Sequence, residues 1–491
     1  MTIAAINDFH GHLRPPPEPA VLDGARIGAG GSAQLATFVR ELRARSANFA
    51  FVSAGDLVGA TPLLAAYFDD EPVIESMNLM GLDYNGVGNH EFDAGVAHLR
   101  RLRDGARFGF LAANVIDRAT GKPLFPPYGI KDYGGVKVAF VGVTLKGTPL
   151  VVSPRAAAGL EFRDEAESVN ALVPELERLG VRAIVVLIHQ GGFAGGGANG
   201  CREPWGPIFE LAPRFDKPVR VVVSAHTHQA YVCTLGDKLV TSAGSYGRYV
   251  TEIRLRIHGQ TSSASAVNHV VRSDAPQDAA QTALVARYAS RAGDIDRVVG
   301  RISATIARQA NADGESPLGR LIADSQLAAT KDRGAVIAFQ NAGGIRAPLE
   351  AKGDGAVTFA EVYAVYPFSN RLVTMSLTGA QILRLLEQQG AGMLQVSRGF
   401  SYAWDASRPA GQRVVPGSAT LDGQSLRADA VYRVTVNSFN AEGGDGLSVF
   451  REGKDRITGP LGRDALIRYL GEHSPLAPPQ DRRVRRTGAV E

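Results

Sequence analysis

Short apolar runs that stop abruptly at polar residues recur through the first half of the chain. Ile3 to Asn7 reads as a strand, and Leu35, Phe38, Val39 and Leu42 follow the spacing of an amphipathic helix. Phe49 to Ala54 predicts the next strand, closed by Gly55-Asp56, with helical material from Thr61 to about Met80. A short strand ends at Val87, and Asp93 to Arg103 predicts a helix. Phe108 to Ala112 and Val136 to Val143 read as further strands; Val169, Leu172, Val173, Leu176 and Leu179 mark a helix face before Ile184 to Ile188 and His189. A Gly-rich loop, a helix near Ile208 to Ala212 and a strand from Val219 to Val223 then lead to His226-Thr227-His228. Near-continuous apolar strands alternating with helices predict an α/β fold whose sheet is covered on both faces. In such folds polar side chains gather at strand ends, where a rigid scaffold meets loops free to carry them.

Near Ile257 the pattern changes. Residues 259–266 are small and polar and read as a surface turn or linker, and Leu284, Tyr288, Ile295 and Val299 predict one side of a long connecting helix. A second, mixed α and β unit follows. It has a helix from Pro317 to Ala329 with proline in its first turn, strands around Val336 to Phe339 and Val431 to Val436, and a helix after the cap-like Thr378 that buries Ile382, Leu385 and Leu386. The expected division is 1–258, a linker and connecting helix over 259–299, a second domain over 300–480, and a tail over 481–491.

Composition adds bounds. A chain of 491 residues is too long for one core, and 45% apolar with 21% charged residues is ordinary for a soluble globular protein. The net charge of +4 is spread along the chain; its densest basic stretch, Arg482 to Arg486, is expected to be a solvated end, so no nucleic-acid polymer is expected as partner. No apolar run reaches the roughly 18–20 residues of a membrane span. The first motif lies almost at residue 1, as in a mature protein whose leader has been removed. Cys201 and Cys233 are either two free thiols or one disulfide tying the loop after His189 to the strand after His228, and a disulfide would favour an oxidising compartment. Oligomeric state is left open.

The chemistry lies at the strand ends. Asp8 and His10 are two apart and point the same way on an extended strand end, so both can hold one ion. Asp56 offers a carboxylate able to bridge two cations, Asn89 a carbonyl oxygen, and His189, His226 and His228 imidazole nitrogens. Such mixed ligation suits Zn, Mn, Fe or Co, and no Cys-x-x-Cys is present for a thiolate site. Two divalent ions about 3.5–4 Å apart form a clamp for phosphoryl transfer. His12 is expected beside the ligands or facing solvent, and the glycines at 191, 192 and 195–197 as a flexible loop, since no Gly-Lys-Ser/Thr follows them.

Asp8-x-His10, Gly55-Asp56, Gly88-Asn89-His90-Glu91, His189 and Ala225-His226-Thr227-His228 resemble the ordered signature of calcineurin-like metallophosphoesterases. Asn7-Asp8-Phe9-His10-Gly11-His12 and Gly88 to Asp93 are similar to the 5′-nucleotidase family, as are Asn341 to Arg346, Tyr366 to Asn370 and Asn437 to Gly446 in the second half. That resemblance implies a four-layer sandwich of two packed sheets flanked by helices, followed by a smaller α+β substrate-binding domain. It implies one ion on Asp8, His10, Asp56 and His228, a second on Asp56, Asn89, His189 and His226, and in-line attack by metal-bound water or hydroxide. His90 would assist at the phosphoryl group with Asp93 orienting it. Phe368 and Phe439 would sandwich a base, Asn341, Asn370 and Asp445 would contact the nucleoside, and Arg346 the phosphate or its approach. Ala225 stands where the family usually has glycine, and Arg308 and Arg320 are present with neither assigned to a phosphate-binding position. The implied substrates are nucleotides, first nucleoside 5′-monophosphates, with 2′,3′-cyclic phosphodiesters or UDP-sugars as alternatives, in a periplasmic or secreted enzyme of nucleotide catabolism with its productive site formed by both domains. A thiosulfohydrolase-like enzyme and a non-catalytic nucleotide-binding surface protein are the competing readings; Phe368, Phe439 and Asp445 argue against the first, and the intact His90 and ligand positions against the second.

Overall fold

Parallel pairing of the apolar runs brings their polar ends to one edge. The computed structural model describes all residues except 154, 260, 294, 391 and 489–491. It forms two compact units, Met1–Gly293 and Asp294–Glu491.

The first unit is built on two six-stranded sheets. In chain order their strands are β1 (Thr2–Ile6), β2 (Phe49–Ser53), β3 (Tyr84–Gly86), β4 (Gly109–Leu111), β5 (Tyr128–Tyr133), β6 (Val136–Thr144), β7 (Val181–His189), β8 (Val219–Val223), β9 (Ala230–Leu235), β10 (Lys238–Ala243), β11 (Tyr249–His258) and β12 (Thr261–Val270). One sheet runs β12-β11-β1-β2-β3-β4 and the other β9-β10-β8-β7-β6-β5. Strands β1 to β4 are mutually parallel, as are β6, β7, β8 and β10, while β5, β9, β11 and β12 pair antiparallel at the margins.

Side-chain alternation explains the layers. Val185 and Leu187 of β7 join Ile3, Val52, Phe140 and Val223 in a core made from both sheets, whereas Val186 and Ile188 face outward onto Val169, Val173, Leu176 and Ile208 of the covering helical segments. On the other side the helices Ser32–Ala44 and Glu71–Met80 bury Leu35, Val39, Leu42, Val73, Ile74 and Met77. Each such aliphatic side chain contributes about 1.5–3 kcal/mol by leaving water. The result is the expected four-layer arrangement, helices on each outer face of two packed sheets.

The second unit carries a five-stranded mixed sheet. Its strands are β13 (Ile337–Gln340), β14 (Arg371–Thr378), β15 (Gln395–Val396), β16 (Val431–Asn437) and β17 (Lys454–Leu461), ordered β15-β13-β16-β14-β17. The helix Pro317–Thr330 starts on Ser316, whose hydroxyl accepts the Gly319 N–H. Thr378 caps Gly379–Glu387 reciprocally with Gln381, as its sequence position predicts.

Four expectations change. Residues 259–266 do not link domains, since Thr261–Val270 is a full strand on β11 and only Gln260 of that stretch lies outside the described residues. Polar alternation there reflects a margin strand with one wet face. The connecting helix spans Ala279–Arg291 and stops before Gly293 at φ +69°, so Val299 lies in the strand Val298–Arg301 and not on the helix with Leu284; residue 294 lies outside the description. The helical material from Thr61 is split into Leu63–Ala66 and Glu71–Met80 by Asp69 and Asp70, both at positive φ. The tail is not a solvated end either. Val484–Thr487 pairs parallel with Phe400–Asp405, and Arg483 is buried with a two-pronged bond to Asp324 at 2.7 and 2.9 Å plus one to the Val396 carbonyl at 2.8 Å; residues 489–491 lie outside the description.

Removing one partner of a buried ion pair leaves the other unsolvated. Arg483→Ala should therefore destabilise the second unit by about 3–5 kcal/mol, read as a lowered denaturant midpoint in its unfolding.

Candidate metal centre

Register builds the site. Ile6 pairs with Ser53 and Ser53 with Asn85, so β1, β2 and β3 end side by side, and the turns that follow carry Asp8 and His10, then Asp56, then Asn89 and His90. In the facing sheet Thr144 pairs with His189 and Leu187 with Val223, which delivers His189 and, three residues past β8, His226. The backbone at these turns is unusual. Asp8, His10, Asp56, His226 and His228 all have φ between 45 and 72°. Non-glycine residues held there cost of order 1–3 kcal/mol each and persist only where the surroundings determine them.

Within this nest the carboxylate and imidazole atoms converge. Asp8, His10 and His228 offer ligand atoms all within 4.8 Å of one another, as do Asp8, Asp56 and His189. His10 Nε2 lies 3.2 Å from His228 Nε2 and 3.6 Å from Asp56 Oδ2. His189 Nε2 lies 3.0 Å from Asp56 Oδ2, yet in a geometry that makes no hydrogen bond. The His10 and His189 rings are oriented from behind, Nδ1 meeting the carbonyls of Gly59 at 2.8 Å and Ala54 at 2.9 Å, which leaves Nε2 turned inward as metal-binding imidazoles require. His226 lies with its ring centroid 5.3 Å from that of His189, and its backbone N–H donates to the Asp8 carboxylate. Asn89 Oδ1 and His189 Nε2 are buried without a hydrogen-bond partner among the described residues. An unpartnered acceptor, Asn89 Oδ1, and an unpartnered ring nitrogen, His189 Nε2, beside two clustered carboxylates fit divalent cations, which would complete both once His189 gives up its proton.

Charge is distributed accordingly. Burial works against the ionised forms of Asp8 and Asp56, but His228 and His189 around the first, and His189 and His90 around the second, outweigh it and hold both carboxyls below their usual range. His189 is raised to about 10: burial opposes its charge, and Asp56 above all overcomes that. Burial and the charge of His189 lower His226 to about 4. Glu91 is pushed up to about 7 by burial and then by the charge on Asp56.

His90 sits at the rim. Its Nδ1 meets Asp93 Oδ2 at 2.8 Å, its ring lies 5.1 Å from that of His10, and its N–H donates to Asp56 Oδ1 at 2.9 Å. In the second unit Asn341 Nδ2 donates to Asp445 Oδ2 at 2.7 Å, and Asn437 Nδ2 donates to Asn341 Oδ1 at 2.9 Å. Asp445 is a further left-handed residue, φ 57°, with its carboxyl raised by burial. Phe439 lies over Gly444, Asn370 Oδ1 accepts the Ser438 hydroxyl at 3.2 Å, Phe368 stands edge-on to Tyr366, and the Arg346 N–H donates to the Val365 carbonyl. Asn341, Asn370, Phe439 and Asp445 thus belong to one hydrogen-bonded and packed set of turns.

Residues outside the expected set also shape the centre. Asn7 Nδ2 donates to Asp8 Oδ2 at 2.7 Å and its Oδ1 accepts the Ala243 N–H at 2.7 Å. Tyr246, buried with φ 62°, donates its N–H to the Asp8 carbonyl and packs its ring 4.1 Å from His12, 5.4 Å from His228 and 5.9 Å from His10. His12 therefore stands beside the candidate ligands, its ring tilted against that of Tyr246. A polar residue inside an apolar strand marks Asn7 in the sequence; nothing local marks Tyr246. Cys201 and Cys233 form a disulfide, which joins the loop after His189 to β9.

Residues 1–230 match the family described as calcineurin-like phosphoesterase, and residues 298–452 match the 5′-nucleotidase C-terminal domain. The crystal structure of a 5′-nucleotidase precursor from Thermus thermophilus superposes with a TM-score of 0.85 at 30% identity, covering 99% of each chain. Endonuclease YhcR of Bacillus subtilis is 31% identical over 96% of this chain, and cell wall protein Lmo0130 of Listeria monocytogenes is 31% identical over 92%. The chain spans 39% and 64% of the lengths of those two relatives. The layered fold and its nest of carboxylates and imidazoles define a calcineurin-like metallophosphoesterase, a class that implies divalent metal ions. With its matching C-terminal domain, the chain belongs to the 5′-nucleotidase family of phosphoric ester hydrolases.

An imidazole must lose its proton to ligate a metal. With its pKa near 10, His189 is charged at about pH 8, whereas His226 near 4 is already neutral. Metal uptake at that pH should release about one proton from His189 and none from His226, and His189→Ala should lower the total release, measured calorimetrically in buffers of different ionisation enthalpy, by about one proton.

Proposed function

We propose that the chain hydrolyses nucleotides, nucleoside 5′-monophosphates first, with two divalent ions held by Asp8, His10, Asp56 and His228 and by Asp56, Asn89, His189 and His226. The observation that carries this reading is the pair of buried, unpartnered atoms, Asn89 Oδ1 and His189 Nε2, beside converging Asp8 and Asp56 carboxylates. Bound there, the ions lower the pKa of water and neutralise charge that develops on the phosphoryl oxygens. The chain's own groups do the rest. Asp93 holds the His90 ring, so that its other nitrogen serves the phosphoryl group or the leaving oxygen. Phe368 and Phe439 stack on the base, each contact giving about 1–3 kcal/mol; Asn341, Asn370 and Asp445 recognise the nucleoside, and Arg346 the phosphate.

A periplasmic or secreted location is favoured by the disulfide and by a relative named as a cell wall protein. A second reading, phosphodiester hydrolysis such as that of 2′,3′-cyclic nucleotides, is favoured by a relative named as an endonuclease. Assaying one panel of monophosphates, cyclic diesters and UDP-sugars ranks them.

Chelator-stripped protein resupplied with Mn²⁺ or Zn²⁺ should release phosphate from 5′-AMP, and failure on every nucleotide would refute the proposal. His90→Ala should lower kcat by roughly 10²–10⁴ with metal content retained. Phe439→Ala should act on KM, in keeping with a loss of about 1–3 kcal/mol of stacking.

A further inference from the structure

Glu91 is 1% exposed and has no place in the ligand set, yet more of the site's backbone converges on its carboxylate than on any ligand named above. Oε2 accepts the N–H of Asp56 at 2.9 Å and that of Gly88 at 2.8 Å, while Oε1 accepts the N–H of Leu57 at 2.9 Å and Asn85 Nδ2 at 3.2 Å. The three backbone donors come from two turns, one after β2 that carries Asp56 and one after β3 that carries Asn89, and the fourth donor, Asn85, sits in β3 itself. These turns touch, since a Cβ on Gly88 would lie 2.2 Å from Asp56 Oδ1. His90 N–H also donates to Asp56 Oδ1, and Oδ2 is the oxygen nearest His189 and His10.

We infer that Glu91 is a positioning residue: its carboxylate clamps the Asp56 turn to the Asn89 turn and so sets the separation of the two side chains that the second ion needs. The inference rests on the metal-centre reading above. Its chemical basis is acceptor count. In its ionised form the carboxyl has lone pairs for all four donors and no proton to place among them, whereas an amide in the same shape turns one oxygen into a donor facing two N–H groups at every pH. The ion on Asp8, His10 and His228 draws most of its ligands from turns that Glu91 does not hold, so the two ions should respond differently.

The test is a titration of Zn²⁺ into chelator-stripped full-length protein, wild type against Glu91→Gln, with stoichiometry and both affinities read by calorimetry and competition with a chromophoric chelator. Wild type should take two ions. In Glu91→Gln the second should bind roughly 10–100-fold more weakly while the first keeps its affinity, and urea unfolding of the metal-free proteins records any general loss of stability separately. Two ions at wild-type affinity in the variant would overturn the inference, as would a loss of stability with unchanged affinities, or an equal weakening of both ions. Wild type binding fewer than two ions would instead refute the metal-centre reading and take the inference with it. Asn85→Ala, which deletes one donor and leaves the carboxylate, provides the same readout if Glu91→Gln does not fold: the second ion should weaken severalfold and the first should not, and unchanged affinities would overturn the inference.

Discussion

The structure depends on parallel strands that end together. Because Ile6, Ser53 and Asn85 are neighbours across β1, β2 and β3, and Thr144, His189 and Val223 lie at the corresponding ends of the facing sheet, turns remote in sequence open onto one small volume. A slip of one residue in any of these pairings would send the alternating apolar side chains to the wrong face, so the same burial that stabilises the sheets also fixes where the candidate ligands emerge. The candidate centre is in this sense a by-product of core packing, sharpened by the turns.

Those turns hold an unfavourable state. Left-handed backbone at Asp8, His10, Asp56, His226 and His228 is offset by hydrogen bonds that bypass the ligand atoms: the Asp8 N–H reaches the Gly55 carbonyl, the His10 N–H the Asp56 carbonyl and the Tyr246 N–H the Asp8 carbonyl. The polar atoms left over point inward, and their mutual electrostatics are divided. Asp56 and Asp8 favour a charge on His189 while His226 stays neutral beside it, so opposite charges and a neutral imidazole are packed into one buried nest. Divalent ions are the simplest group that would balance the carboxylates and satisfy the unpartnered Asn89 Oδ1 and His189 Nε2.

The second unit follows another rule. Its polar set, Asn341, Asn437, Asn440 and Asp445, is tied together by side-chain amides at the ends of β13 and β16, and Arg483 anchors the last described strand through Asp324. These short turns hang on a mixed sheet, which explains why the motifs read clearly in sequence as clusters of Asn and Gly but their partners did not.

Local chemistry announced much of this molecule. Periodicity located the strands and helices, and the spacing of Asp8, His10, Asp56, Asn89, His90, His189, His226 and His228 after apolar runs marked the strand ends, because a fully buried strand admits such groups only where it leaves the sheet. What misled was polarity without context: Thr261–Val270 and the arginine-rich end look solvated, and both are strands whose partners lie elsewhere in the chain. Tyr246 and the role of Glu91 were illegible for the same reason. Glu91 is only one letter of a motif until the fold brings the N–H groups of Asp56, Leu57 and Gly88 to it. The sequence by itself determined which groups could bind metal and at which strand ends; the tertiary structure alone decided which backbone amides hold those ends together, because hydrogen bonds between distant turns leave no periodic trace in the chain.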